Sequence, residues 1–169
     1  MVYWTLRRGR SELTSSSDQS VNEFDLIEKY LSPLAGEGAL GLKDDVAQHG
    51  GMVFTKDLLI DGVHFRTEDS WQAAAQKSVR ANVSDIVAKG ASPKGVMLGV
   101  VWPCEVTEGQ IQAFMTGLAD DLGRYGLSLL GGDTTRHGKV GMPLTVSITM
   151  TGISGARGPV LRSGATVGD

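Results

Sequence analysis

Four short segments of this chain place carboxylates beside glycine or hydroxyl residues: Lys43-Asp44-Asp45, Thr55-Lys56-Asp57, Ser84-Asp85 and Gly132-Asp133-Thr134. Carboxylate and hydroxyl oxygens are hard donors, the kind that Mg²⁺ prefers. Phosphoryl transfer needs such ions, because they neutralise phosphate oxygens and hold the attacking and leaving atoms in line. Such a protein needs little covalent chemistry of its own, and no Ser/His/Asp or Cys/His nucleophile arrangement is evident here.

Each segment also has a plainer reading. Asp44 and Asp45 suit a solvated turn, since Asp is common in turns. Asp57 and Asp61 flank an apolar stretch and read equally as surface residues. Ser78, Asn82, Asp85 and Lys89 fall on one helical stripe. That stripe is either an exposed face or, given its small residues, a packed or ligand-facing one. Asp133 follows an apolar run and two glycines, where ligands collect in α/β folds, or else it caps a turn. His64, beside Phe65, reads as a packed residue on the sequence alone. Gly36 to Gly41 matches G-x-G-x-x-G but follows a helix and opens no periodic segment, so it is no dinucleotide fingerprint. Leu42 stands where a P-loop lysine would be, so ATP, if bound, is bound without a P-loop.

Several elements could position these residues. Asn22 caps a helix carrying Phe24, Ile27, Tyr30 and Leu31, stopped by Pro33. Met52 to Thr55 reads as a short strand. Ser70 caps a long helix to about Lys89, ended by Gly90. Lys94 to Trp102 is a nearly continuous apolar run closed by Pro103, a buried strand. Thr107 with Gln110 forms a capping box for a helix with Ile111, Phe114, Leu118 and Leu122 on one side, followed by Gly126. Leu127 to Leu130 is a strand running into Gly131-Gly132-Asp133. Pro143 to Ile153 is another, with Leu144, Val146, Ile148 and Met150 on one face. The order of elements predicts an α/β (α+β) layer fold with a mixed, four-stranded sheet.

The bulk properties set limits. The 169 residues suffice for one domain with a real core. A net charge of −3 gives no basic stripe for nucleic acid. The 23 glycines are about twice the usual share of roughly 7% and point to tight turns and close backbone approaches. The single cysteine, Cys104, excludes an intrachain disulfide and suits a reducing, cytoplasmic compartment. No apolar run approaches the roughly 20 residues that span a bilayer. Residues 1–20, with Arg7, Arg8, Arg10 and Ser15 to Ser17, read as a disordered extension, 21–155 as the folded domain, and 156–169 as the start of a linker into a further domain.

The segments FDLIEKYLSPLA, GLKDDVA, TKDLLIDGVHF, KSVRANVSDIVAKGASP, LLGGDTTR, PLTVSITMTG and LRSGATVGD occur in an order and spacing that resemble thiamine-monophosphate kinases, over roughly residues 22–169. Their wider superfamily includes aminoimidazole ribonucleotide synthetase, selenophosphate synthetase and a hydrogenase-maturation protein. The resemblance implies helices on one face of the sheet and pairing of two copies through their sheets into a barrel-like homodimer. It implies ATP as co-substrate, Mg²⁺, and thiamine monophosphate as the acceptor. It implies Asp45, Thr55, Asp57, Asp85 and Asp133 as metal ligands, Gly132, Asp133 and Arg162 as nucleotide contacts, and His64 at the acceptor site. Three residues depart from the family pattern: Lys56 for a second hydroxyl, Lys89 for an apolar Met, and Lys43 for a glycine. Lys56, which cannot ligate Mg²⁺ while protonated, is a candidate internal cation. Two other readings remain open: a non-catalytic, dimerising Mg²⁺/nucleotide-binding domain, or a selenophosphate synthetase. The latter would carry a reactive Cys near its N-terminus, and none stands there.

Overall fold

The computed structural model describes residues 21–168, so the expected N-terminal extension lies outside the described residues. The chain divides into two compact units after Leu34.

In the first unit Asn22 caps as its type predicts, its Oδ1 accepting from the Asp25 amide at 2.9 Å. The helix it starts is short: α1 (Glu23–Leu26) passes into a π-helical turn (Ile27–Leu31) and a 3-10 turn (Ser32–Leu34). A continuous helix was expected. None of its residues is buried within the unit, so no packed face enforces the 3.6-residue period. Pro33 removes a donor at the end.

The second unit is a mixed sheet of five strands: β1 (Ala47–His49), β2 (Met52–Ile60), β3 (Ser92–Trp102), β4 (Ser128–Arg136) and β5 (Thr145–Ile153). Their order across the sheet is β1-β2-β5-β3-β4, with β3 and β4 parallel and the other pairs antiparallel. The mixed sheet agrees with the sequence reading. The fifth strand is the three-residue β1, too short to show a period. β2 also runs further than expected, through Thr55-Lys56-Asp57, because its backbone is paired along its whole length with β5.

Helices α2 (Trp71–Ala88) and α3 (Glu108–Tyr125) begin at the expected caps. Ser70 Oγ accepts from the Ala73 amide at 3.1 Å, and Thr107 and Gln110 close the capping box. Helix α2 covers the sheet, and α3 lies against α2, so close that a Cβ on Gly117 would overlap the Gln72 carbonyl oxygen. The core joins Val53, Val96, Val146, Ile148 and Met150 of the sheet to Val79 and Ile86 of α2 and Phe114 of α3. Trp102 anchors one end, stacked on Trp71 at 6.3 Å and meeting Phe114 edge-on at 5.3 Å.

Candidate functional site

The stripe on α2 faces inward. Ser78, Asn82 and Lys89 are buried and Asp85 is half-buried. Opposite it, β2 presents alternate residues, Val53, Thr55, Asp57 and Leu59, to the helix layer, as a period of two requires. Two polar residues thus sit where apolar ones would be expected. Thr55 Oγ1 donates to Asp85 Oδ2 at 3.0 Å. Asp57 Oδ2 is buried with no hydrogen-bond partner among the described residues, which costs free energy unless something else supplies a partner.

The electrostatics agree. Burial pushes the Asp85 carboxyl up to about 6; the Thr55 hydroxyl works against this, while the charges of Asp57 and Asp45 add to it. Burial likewise raises Asp57, opposed by His64 and assisted by Asp45. For both carboxyls burial outweighs what their neighbours offset.

The Asp44–Asp45 pair differs. The buried Lys89 ammonium lies 2.5 Å from Asp44 Oδ1 and 2.8 Å from Asp45 Oδ2. The Arg162 amide donates to Asp44 Oδ2 at 2.9 Å, and its guanidinium holds both oxygens of Asp45. Burial disfavours ionisation of both carboxyls, but Lys89 and Arg162 outweigh it and hold them below the usual carboxylate range. The plainer reading, a solvated turn, does not hold here: the Asp44 side chain is only 5% exposed.

Other expected residues lie elsewhere. Lys56, adjacent to Thr55 on the strand, points to the opposite face of the sheet, donating to Ser147 Oγ at 2.6 Å; it is no internal cation for Thr55 and Asp57. Asp133 lies within β4, not at a strand end. Its register partner is Gly99, which pairs with Ser147, itself opposite Leu58. Asp133 therefore shares the open face with Lys56 and not the helix-covered face with Asp57, whose register partners lead to Gly132. Its Oδ1 accepts from the neighbouring Thr134 amide at 2.8 Å. Gly132 has a structural reason for its type: at φ 152°, a Cβ there would overlap the Leu98 carbonyl oxygen.

His64 sits in the turn after β2, where its Nδ1 accepts from the Ile60 amide at 3.0 Å and its carbonyl accepts from Lys77. At this end of the sheet a cavity of about 440 Å³ opens, walled by Asp61, Phe65, Arg66, Trp71, Glu105 and Leu144 among others. Asp61 Oδ1 is buried there with no hydrogen-bond partner among the described residues.

The structure thus brings together Thr55, Asp57 and Asp85, with Asp44, Asp45, Lys89 and Arg162 forming a second, self-compensated cluster. Among the described residues, no three His, Cys, Asp or Glu side chains already form a metal cage. Asp44 and Lys89 were not among the expected site residues. The signal for Lys89 was its place on the α2 stripe; for Asp44, only its neighbour.

Comparison with known proteins gives a context. The family model described as AIR synthase related protein, N-terminal domain, matches residues 37–154. The thiamine-monophosphate kinase of Caulobacter vibrioides is 42% identical over 155 residues, covering 87% of this chain and 43% of that protein. The chain spans somewhat under half the length of the curated relatives it matches. The structure of AaThiL complexed with AMPPCP and TMP superposes with a TM-score of 0.76 at 24% identity, covering 94% of this chain and 49% of that one. The thiamine-monophosphate kinase of Stenotrophomonas maltophilia K279a matches with a TM-score of 0.55 at 33% identity, covering 85% and 44%.

Proposed function

The chain belongs to the AIR synthase related protein family, as its N-terminal domain, and from that membership we propose that it is the cation- and nucleotide-binding part of a thiamine-monophosphate kinase. In the proposed reaction the γ-phosphoryl group of ATP passes to the terminal phosphate oxygen of thiamine monophosphate, giving ADP and thiamine diphosphate. The relatives that carry this activity by name support the reading. So does the structural neighbour bound to AMPPCP, an ATP analogue, and TMP.

The observation that carries it is the buried, unpartnered Asp57 oxygen beside the Thr55–Asp85 pair. One hydroxyl and two carboxylates raised by burial fit a hard divalent cation. Thr55, Asp57 and Asp85 would hold Mg²⁺, which when bound lowers the mutual repulsion of the two phosphate chains. The rest is positioning by this chain. Arg162, with its side chain 65% exposed, is free to turn from Asp45 toward a phosphate. The cavity beside His64 has acidic walls in Asp61 and Glu105 and aromatic ones in Phe65 and Trp71, which suits a cationic heteroaromatic acceptor such as thiamine. The open sheet face, with Leu58 and Met97 exposed, and the unpaired edge of β4 suit a second copy of the chain. A cytoplasmic setting accords with the single Cys104. No helix among the described residues is long and apolar enough to cross a membrane.

Calorimetric titration with Mg-AMPPCP tests the core of this proposal. Saturable binding that disappears with EDTA is expected. Absence of saturable binding would leave only a structural domain. Because the chain covers less than half of its named relatives, we expect binding without turnover near the 1–100 s⁻¹ typical of kinases. The acceptor site has its own readout: thiamine monophosphate should quench the fluorescence of Trp71. Asp61→Asn should weaken that quenching about tenfold, the effect of losing one charge-assisted contact. Quenching unaffected by the substitution would remove the acceptor from this cavity.

A further inference from the structure

The Asp44–Asp45 pair carries two negative charges at adjacent positions, and both carboxyl groups already have a cation in contact. Lys89 reaches them from the end of the α2 stripe, at 2.5 and 2.8 Å, with its side chain only 4% exposed. Its backbone is fixed as well. The Lys89 amide bonds the Ile86 carbonyl, and its own carbonyl accepts from the Val160 amide at 3.0 Å. The ammonium therefore has little room to leave. Arg162 differs: it touches Asp45 through an exposed side chain that water can release.

A divalent ion brought to Asp45 would meet a buried positive charge in direct contact with the same carboxylate oxygen. Like charges at contact distance in a partly buried site repel strongly, and Asp45 Oδ2 already meets both Lys89 and Arg162. We propose that Lys89 is a tethered cation standing in for a divalent ion at the Asp44–Asp45 pair, so that Asp45 ligates no metal in this chain. The chain then binds one divalent ion fewer than it would with a neutral side chain at position 89. This inference rests on the proposed function only in taking Thr55, Asp57 and Asp85 as the remaining metal site.

Counting ions tests it. Free Mn²⁺ is measured by electron paramagnetic resonance during titration of the full chain and of Lys89→Met. The variant should bind one more Mn²⁺ per chain than the unsubstituted protein, and Asp44→Asn or Asp45→Asn in the Lys89→Met background should remove that extra ion. Asp45→Asn alone should leave the count of the unsubstituted protein unchanged. Equal, non-zero counts with and without Lys89 would overturn the inference while leaving the Mg²⁺ reading intact. Binding of no Mn²⁺ by either protein would overturn both. Melting curves guard against a folding defect. Lys89→Met should melt below the unsubstituted chain without metal and recover with Mn²⁺. If Lys89→Met and the hydrogen-bonding Lys89→Gln both melt low and neither recovers with Mn²⁺, the role of Lys89 is only to hold the fold and the inference falls.

Discussion

Asp85→Asn should raise the melting temperature at pH 8 and, in the same protein, lower Mg-AMPPCP affinity at least about 100-fold. The affinity loss follows from removing a charged oxygen donor, since even groups behind the ligands are worth about 10–100-fold. The stability gain follows from electrostatics. Asp85 is held at about 6, above its ordinary value of 3.8, first by burial and then by the charges of Asp57 and Asp45. The native state therefore binds a proton more tightly than the unfolded chain, and stability falls as pH rises from about 4 through about 6. Above that window the ionised carboxylate is a standing cost. Allowing for solvent screening of a half-exposed group, it is on the order of 1 kcal/mol, or about 3 °C in a chain of this size. Asparagine keeps an oxygen for the Thr55 hydroxyl and removes the charge. The gain should vanish near pH 4, where both forms are neutral. A variant that melts lower at pH 8, or that binds nucleotide normally, would remove Asp85 from the site.

Gly132→Ala should destabilise the chain by about 2–5 kcal/mol. Overpacking typically costs about 1–3 kcal/mol and an unfavourable backbone conformation a similar amount. Both act here, because the new Cβ would strike the Leu98 carbonyl, backbone against backbone, and no side-chain rotation relieves it. Since β4 is an edge strand, the damage should be local. Amide exchange should accelerate from Ser128 to Arg136, while Val53 to Leu59 stays protected. Uniform acceleration would mean that β4 is integral to the core. Gly131→Ala, at φ 150° with nothing within contact distance of its Cβ, should carry the backbone cost without the clash.

Much of this architecture can be read from the residues. The caps at Ser70 and Thr107, the glycine ends at Gly90 and Gly126, and the apolar runs of β3 and β5 are local signals, and each marks its element. The α2 stripe is half legible: its spacing marks one face, but Ser and Asn suit solvent as well, and only the packing shows Ser78 and Asn82 fully buried. What local signals could not reveal was anything requiring register. The strand reads as ending at Thr55 because charged Lys56 and Asp57 follow, yet pairing with β5 carries it through to Ile60. That pairing sends Lys56 to the open face and its neighbours to the helix side. The side to which Asp133 belongs depends on the bulge between Val96 and Met97, since a one-residue slip exchanges the faces. The Lys89 ion pairs join positions far apart in the chain and leave no periodic trace.

The order of strands also dictates when this molecule can assemble. Among the described residues β5 comes last in sequence, yet it lies between β2 and β3, which share no ladder of their own. Lys56 and Ser147, hydrogen-bonded across that seam, are 91 residues apart in sequence. Until residues 145–153 leave the ribosome, β1–β2 and β3–β4 share no ladder, and only α2 packs against both pairs. Closure of so wide a loop is slow, and during synthesis that interval is when the chain is most open to aggregation or capture by chaperones.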